Sequence, residues 1–254
     1  MGAAVNGMNT YAGVRAFGAT FLVFSDYMRP SVRLSALSPF NSIWVYTHDS
    51  IGLGEDGPTH QPIEQVASLR AMPNMHVIRP ADANEVREAW RAAIARTDGP
   101  TCLVFTRQNV PTFDRSQYAP AEGLQQGAYV LADLSEGDPE IILMATGSEV
   151  QLIVEAGQQL AADGHSVRLV SFPCWELFEA QDQAYRDGVL PPAVGARLAV
   201  EAGVAQGWQR WVGDRGDVIA LDRYGESAPG AEVLDKLGFN VDNVLARARK
   251  LLDG

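Results

Sequence analysis

The sequence predicts an α/β protein made of two successive domains, the first with a parallel sheet and the second a smaller α/β domain. Short apolar runs of strand length alternate with amphipathic helical patterns up to about residue 107. The alternation lapses at 108–126, where prolines and polar residues are frequent, and it resumes through 127–254. Alternating strands and helices are typical of parallel sheets covered by helices on both faces. We therefore expect one domain at 1–107, a linker at 108–126 and a smaller α/β domain at 127–254.

Three strands and three helices are expected in the first domain. The strands are predicted at 42–47, 76–79 and 101–106, and the helices at 28–37, 63–70 and 83–96. Asp82, with Glu85 three residues later, forms a capping-box pattern at the start of the last helix. The domain opens on a helical pattern of small residues at 1–11, whereas a parallel sheet normally has a strand before such a helix. We therefore expect an N-terminally truncated parallel-sheet domain.

The second domain repeats the alternation. Strands are predicted at 140–146, 166–172, 196–201 and 218–221, and helices at 148–163, 231–237 and 241–252. Gly164 is expected to end the first of these helices. The ATGSEV stretch at 145–150 puts a Gly-Ser turn between a strand and a helix. It fits an anion-binding turn, but Ser148 also fits an ordinary helix N-cap.

Composition limits the classes of partner. The net charge is −11 and the pI is about 4.8, which argues against a nucleic-acid partner. No uncharged apolar stretch is long enough to span a membrane, and no basic region precedes the first apolar residues, so no membrane span or signal peptide is expected. Cys102 and Cys174 are far apart and show no CxxC spacing. They are expected to be reduced thiols of a cytoplasmic protein.

The run YTHDSIGLGEDGPTHQP at 46–62 is the most informative segment for function. It holds His48, Asp56 and His60 within thirteen residues, with four glycine or proline residues between them. Such breakers predict a loop, and a loop with half of the chain's histidines is expected to be a site. A metal site is an alternative, although the spacings match no standard zinc pattern. Asp49 and Glu55 are expected to be solvated.

Two further candidates lie outside this loop, and each has two interpretations. Phe21, Phe24 and Tyr27 recur every three residues, which fits either a core stripe of a helix or a set of stacking faces for a flat heterocycle. Arg107 follows a predicted strand, where open α/β sheets bind ligands. Its guanidinium suits a phosphate, but it also suits a surface ion pair.

Taken together, the longer motifs resemble transketolase, a thiamine-diphosphate enzyme. The resemblance rests on YTHDSIGLGEDGPTHQPIEQVASLR, MPNMHVIRPADANE, DGPTCLVFTRQN, ATGSEV, AVEAG and GESAP, and it covers essentially the whole chain. It implies reversible transfer of a two-carbon ketol unit from a ketose phosphate to an aldose phosphate. It also implies a thiamine-diphosphate pyrimidine-binding domain followed by the family's C-terminal domain.

The resemblance assigns roles to the candidate residues. Phe21, Phe24 and Tyr27 match the aromatic pocket around the cofactor's aminopyrimidine ring. His48 and Arg107 match residues that contact the sugar phosphate, and Asp56 matches the carboxylate that reads a substrate hydroxyl. His60 matches the catalytic histidine near the donor C1 hydroxyl. These roles are expectations carried by the resemblance alone.

One departure from the family pattern limits what is expected of this chain. The family's activating glutamate lies just ahead of the methionine that corresponds to Met1, and the diphosphate-binding part with its Mg²⁺ ligands is also outside the sequence. We therefore expect the chain alone to be inactive and its partner to be a second copy or the missing N-terminal half. The alternatives are dihydroxyacetone synthase, a non-catalytic fragment, or one subunit of a split thiamine-diphosphate enzyme.

Overall fold

The computed structural model describes residues 1–11 and 13–253, which form ten α-helices and nine strands arranged in two sheets. In the first part of the chain these are α1 Gly2–Thr10, β1 Phe17–Phe21, α2 Ser25–Leu37, β2 Ile43–Thr47, α3 Gln65–Arg70, β3 His76–Ile78, α4 Ala83–Ala95 and β4 Thr101–Val104. The remainder comprises β5 Tyr129–Asp133, β6 Ile141–Ala145, α5 Val150–Ala162, β7 Val167–Ser171, α6 Trp175–Glu179, α7 Gln183–Val189, β8 Arg197–Val200, α8 Gln209–Val212, β9 Asp217–Ile219, α9 Gly230–Lys236 and α10 Val241–Asp253.

The first sheet is parallel and has the strand order β1-β2-β4-β3. Its three predicted strands are present, but β1 is a strand that the sequence analysis did not assign. Its residues, FGATF, alternate between exposed and buried positions because β1 lies at an edge of the sheet. A short edge strand with an internal glycine gives a weak apolar signal.

The second sheet has the order β5-β7-β6-β8-β9, and β5 pairs antiparallel with β7. The other strand pairs of this sheet, β6 with β7, β6 with β8 and β8 with β9, are parallel, as the predicted β-α-β series implies. The missed strand β5 alternates between buried and partly exposed residues, as is usual for an edge strand. Gly164 takes a left-handed backbone just after α5, so the predicted end of that helix is confirmed.

The segment between the two sheets is packed against the first domain. Arg115 pairs with the Asp82 carboxylate at 2.9 Å and donates to the Tyr129 hydroxyl at 3.0 Å. The Phe113 N–H also donates to Asp82, whose other oxygen accepts from the N–H of Glu85 as a helix cap. The segment ends in a 3₁₀ turn, Ala121–Gln126. The Asp82 carboxylate thus caps α4 and also holds the segment between the two sheets in place.

Aromatic side chains fill the core on one face of the second sheet. Trp208 and Trp211 pack there with Phe172, Trp175 and Phe178. Tyr224, by contrast, is exposed. Both cysteines, Cys102 and Cys174, are free and buried, and burial raises the pKa of each thiol. Among residues 1–11 and 13–253, no helix has the length and apolar character needed to cross a membrane.

Candidate functional site

The aromatic cluster and the histidine loop, which are separate in sequence, meet in one place. The Phe21 and His48 rings are stacked with centroids 3.6 Å apart, and Phe24 meets the His60 ring edge-to-face at 5.5 Å. Tyr27 lies beside Phe24, at 6.0 Å between ring centroids. The register of parallel strands explains the meeting, since Phe21 and Thr47 are partners at the carboxyl ends of β1 and β2. Ligands of open α/β sheets bind at this end.

The aromatic residues do not form a core stripe. Phe21 and Phe24 are half-buried, and Tyr27 is 85% exposed. Phe21 ends β1, Phe24 lies in a 3₁₀ turn, and Tyr27 is in the first turn of α2. The three rings therefore lie where a strand runs into a helix, and each remains partly accessible. The core interpretation of their spacing is wrong, because the spacing spans a turn rather than one helix.

His48 has a strained backbone and a lowered pKa. Its φ is +58°, one of two left-handed non-glycine positions in the described chain. Such conformations persist only where neighbouring contacts enforce them, and they are frequent at functional sites. Its Nδ1 lies 2.9 Å from the Thr47 hydroxyl. Burial lowers the pKa of His48 and the Arg107 charge lowers it further, while Asp56 and Asp49 act in the opposite direction.

Arg107 and Asp56 belong to the segments that follow β4 and β2, two neighbouring parallel strands, at the same edge of the sheet. Arg107 is exposed beyond the end of β4, the strand that pairs with β2. Asp56 is also exposed, on the same loop as His48. A cation, a carboxylate and an imidazole thus share one edge of the sheet and remain accessible to a ligand.

The predicted loop is more ordered than its glycines implied. Its first two residues, Tyr46 and Thr47, belong to β2, and a 3₁₀ turn forms at Ile51–Leu53. Gly54 and Gly57 take left-handed backbones, which supports the argument that this sequence requires glycine there. His60 is half-buried near the end of the loop, and its Nδ1 lies 2.9 Å from the Thr59 hydroxyl. Glu55 is exposed, as expected.

The expectation that Asp49 is solvated is wrong. Asp49 is 2% exposed and pairs with Arg79, whose own side chain is 1% exposed, at 2.8 Å. Arg79 also forms an ion pair with Glu149. Sequence analysis missed this group because Arg79 was placed in a buried strand. An arginine at the end of such a strand is itself a signal, since a buried charge requires a partner.

Arg79 also explains the Gly-Ser turn. A Cβ atom on Gly147 would lie 2.6 Å from the Arg79 Cζ atom, so the guanidinium fills the space at this turn. Ser148 makes no helix-cap hydrogen bond and instead donates to Glu149. The interpretation of Ser148 as an ordinary N-cap is wrong, since Thr146 and Glu149 hold the cap positions. The space next to the turn is filled by the chain's own guanidinium.

A loop of the second domain supports the histidine loop from outside. The Gln61 amide donates to the carbonyls of Gly54 and Glu226, both at 2.9 Å. The Ser227 hydroxyl donates to the Glu55 carbonyl. The residues of the 223–230 segment carry no reactive pattern, so this supporting role was not predicted. They hold the histidine loop through a backbone carbonyl and a serine hydroxyl.

A metal centre was the alternative interpretation of the histidine loop. Within the described ranges, 1–11 and 13–253, no three His, Cys, Asp or Glu side chains are grouped so that they could hold a metal ion. The groups that the structure brings together here are aromatic rings, two imidazoles, a carboxylate and a guanidinium. These groups can stack on a flat ring, bind an anion and exchange a proton near neutral pH.

Comparison with known proteins identifies relatives of the whole chain. The transketolase pyrimidine-binding domain model matches residues 1–112, and the transketolase-like C-terminal domain model matches 127–240. A transketolase of Geobacillus stearothermophilus is 56% identical over 252 residues, which are 99% of this chain and 38% of that protein. The chain thus spans about two fifths of the length of the curated relatives it matches.

Solved structures show the same likeness. A Pichia stipitis transketolase in complex with sedoheptulose-7-phosphate is 41% identical, with a TM-score of 0.92 over 100% of this chain and 36% of that one. A chain described as a split-gene transketolase, inactive β4 tetramer, is 22% identical, with a TM-score of 0.80 over 99% of this chain and 80% of that one. At this identity the second likeness shows the fold alone.

Proposed function

Since the chain belongs to the transketolase family, we propose that it carries part of the site for ketol transfer. The reaction is the reversible transfer of a two-carbon ketol unit from a ketose phosphate to an aldose phosphate. The observation that carries the proposal is the contact of Phe21 with His48 and of Phe24 with His60. It joins the family's proposed cofactor and substrate residues in one site.

The aromatic cluster fits the aminopyrimidine ring of thiamine diphosphate. Phe21, Phe24 and Tyr27 are at most half-buried, so their faces are available to a flat heterocycle. Thiamine diphosphate supplies the carbon nucleophile of ketol transfer when it is bound. Its diphosphate and Mg²⁺ need oxygen ligands. We propose that these come from the part of the family's enzyme that the 254 residues do not include, together with the activating glutamate.

The remaining residues are proposed to bind and polarise the sugar phosphate. Arg107 and His48 contact the phosphate, where a guanidinium gives charge-assisted hydrogen bonds. Asp56 accepts a hydrogen bond from a substrate hydroxyl, because an ionised carboxylate is only an acceptor. His60 lies deeper, beside the cofactor cluster, and exchanges a proton with the donor's hydroxyl through its Nε2 atom, since its Nδ1 faces Thr59.

The proposed partner is another part of the same enzyme, in a second copy or in an N-terminal half. The exposed large apolar side chains support this, because among the described residues all but Tyr224 lie in the first 94 positions. They are Met1, Met8, Tyr11, Val14, Phe17, Tyr27, Leu34, Leu37 and Ile94. A concentration of exposed apolar residues is typical of an interaction surface. The two free buried thiols support a cytoplasmic location.

Calorimetry with thiamine diphosphate and Mg²⁺ tests the cofactor site. We expect no tight binding to the 254-residue chain alone, and binding once the N-terminal portion of the Geobacillus stearothermophilus enzyme is added. In that mixture Phe21→Leu and Phe24→Leu should each weaken binding by about 0.5–1.5 kcal/mol. Phe113→Leu, the same change between the sheets, should leave it unaltered. Equal effects of all three variants contradict the assignment.

Acceptor choice separates the main proposal from dihydroxyacetone synthase. The same mixture is given a ketose phosphate donor with either an aldose phosphate or formaldehyde as acceptor. Ketol transfer to the aldose phosphate in large excess over formaldehyde supports the proposal. The opposite preference supports the alternative, and a mixture that binds cofactor but uses neither acceptor identifies a non-catalytic chain.

A further inference from the structure

Arg79 joins three parts of the molecule at one buried point. It follows β3 directly, and its guanidinium donates to Asp49 at 2.8 Å. On its other side it donates to the hydroxyl of Thr146 at 2.8 Å and forms a bidentate pair with Glu149. Asp49 belongs to the histidine loop, whereas Thr146 and Glu149 follow β6 of the second sheet. One arginine of the first domain therefore connects the histidine loop with the second domain.

The charges around Arg79 make this arrangement rigid. Burial alone lowers the pKa of Arg79, but Asp49 and Glu149 more than offset that effect and raise it. The guanidinium is thus cationic and paired on two sides. Removing one partner of a buried pair leaves an uncompensated charge, so the three side chains are held together or are all disturbed.

Asp49 transmits this constraint to His48. The two residues are adjacent, and His48 holds the left-handed backbone described above. A strained backbone needs fixed neighbours on both sides. On one side Thr47 is held in β2, and on the other Asp49 is fixed by Arg79. The far end of the loop is also held by the second domain, through Gln61 and the Glu226 carbonyl.

We propose that Arg79 is a positioning residue of the substrate loop: held by Glu149 of the second domain, it sets the orientation of the His48 imidazole through Asp49. The C-terminal domain then shapes the site across the domain boundary, through Glu149 and Arg79. The functional meaning of this inference rests on the proposed role of His48, but its geometry does not.

The test reads the ring signals of the histidines by nuclear magnetic resonance in the complete 254-residue chain. Four histidines give a small set of imidazole ring signals, and no substrate or cofactor is needed. The first variant is Arg79→Lys, which keeps the charge but cannot bridge both carboxylates. Its control is Arg168→Lys, since Arg168 is also a bidentate arginine, pairs with Asp133 and contacts neither Asp49 nor Glu149.

The expected readout is the orientation of the His48 ring. Phe21 and Thr47 contact this ring, while the charges of Arg107, Asp56 and Asp49 act on its pKa. Arg79→Lys releases Asp49 from its bridge to Glu149, so the His48 ring signals should shift as its stacking on Phe21 changes. The signals of His165, in the second domain away from the loop, should stay unchanged. Arg168→Lys should leave the His48 signals in place even if it lowers the melting temperature.

A second variant covers the case in which Arg79→Lys does not fold. Glu149→Gln lies in the second domain and does not contact His48, but it weakens the hold on Arg79. A changed His48 signal in Glu149→Gln supports the proposal. An unchanged His48 signal in Glu149→Gln overturns it, as does an equal His48 change in Arg79→Lys and Arg168→Lys. The His48 ring signal is measured in the 254-residue chain without substrate or cofactor. A failure of the ketol-transfer experiment therefore does not affect the outcome of this test.

Discussion

Phe21 and His48 lie stacked at 3.6 Å because Phe21 ends β1 and His48 directly follows Thr47, its register partner at the end of the neighbouring parallel strand β2. The ring proposed to hold the cofactor and the imidazole proposed to hold the phosphate therefore share one wall. On the proposed roles, a pyrimidine and a sugar phosphate would lie side by side at the carboxyl ends of these two strands. Replacing single side chains at this site should therefore have separable effects on binding and on catalysis.

His60 is expected to act in the chemistry, whereas His76 is not. In the mixture with the N-terminal portion, His60→Ala should lower kcat by roughly 10²–10⁴, the range typical of a general acid–base group. His76 begins β3, away from the site, so His76→Ala should lower stability more than rate. Steady-state kinetics and thermal melts on both variants provide the check. Equal losses of kcat would sink the assignment.

His76 should make the folded chain sensitive to acid. Burial, assisted by the Arg96 charge, lowers the pKa of His76 to about 4. A lowered pKa in the folded state means that the unfolded chain binds more protons between about pH 6.5 and pH 4. Stability from this residue is therefore full above pH 6.5 and is lost as the pH falls toward 4, on the order of 3 kcal/mol.

Urea unfolding across this pH range measures the loss. His76→Gln has no titrating ring, so its stability curve should be flatter between pH 6.5 and 4 than that of the parent chain. His165→Gln serves as the control, since His165 is on the surface and pairs only with Glu140. Parallel curves for the parent and His76→Gln would show that burial of His76 has no such effect.

Arg107 should bind phosphate rather than take part in proton transfer. Arg107→Ala is expected to raise KM for a phosphorylated sugar. The increase should correspond to a loss of about 1.5–3 kcal/mol of binding free energy, because charge-assisted hydrogen bonds are lost. An unphosphorylated ketose should lose little. The comparison is made with matched donors in the reconstituted mixture. If both donors suffer alike, Arg107 has a structural role instead.

Close packing between the domains should make Gly230 intolerant of a methyl group. A Cβ atom there would lie 2.3 Å from the Gly52 carbonyl oxygen, although the Gly230 backbone itself is not left-handed. Gly230→Ala should therefore cost about 1–3 kcal/mol of unfolding free energy, as overpacking does. Gly188→Ala, in α7 with no atom within 4 Å, should instead be neutral or stabilising by about 0.5–1 kcal/mol.

Chemical denaturation of the two glycine variants gives both values on the chain as it exists. The pair separates the contact with the histidine loop from the general effect of replacing glycine. A Gly230→Ala variant as stable as Gly188→Ala would mean that the 223–230 segment is not closely packed against the histidine loop.

Much of the fold was readable from the sequence because buried strands and amphipathic helices have strong periodic signals. The strands β2, β4, β6, β7 and β8 and the long helices α4, α5 and α10 were all predicted within a few residues. The edge strands β1 and β5 were not assigned, since an edge strand is only partly buried and one of them contains glycine. The antiparallel direction of β5 is a matter of topology that local patterns do not carry.

The site shows the same division. His48, Asp56 and His60 stand out in sequence because reactive side chains lie among backbone breakers. Asp49 and Arg79 do not, since their importance comes from a contact across 30 positions. Long-range ion pairs leave no local pattern beyond an unexpected charge near a strand end. The support that Gln61 receives from the second domain is hidden for the same reason.

The central claim is that this chain supplies the pyrimidine pocket and sugar-phosphate residues of a ketol-transfer site. Its most direct test is transfer of label from a ketose phosphate carrying ¹³C at its first two carbons to an aldose phosphate. The reaction is run with the 254-residue chain alone, with the N-terminal portion alone and with both. We predict labelled product only when both are present with thiamine diphosphate and Mg²⁺. Label transferred by the chain alone, or no transfer in a mixture shown to bind the cofactor, would contradict the account.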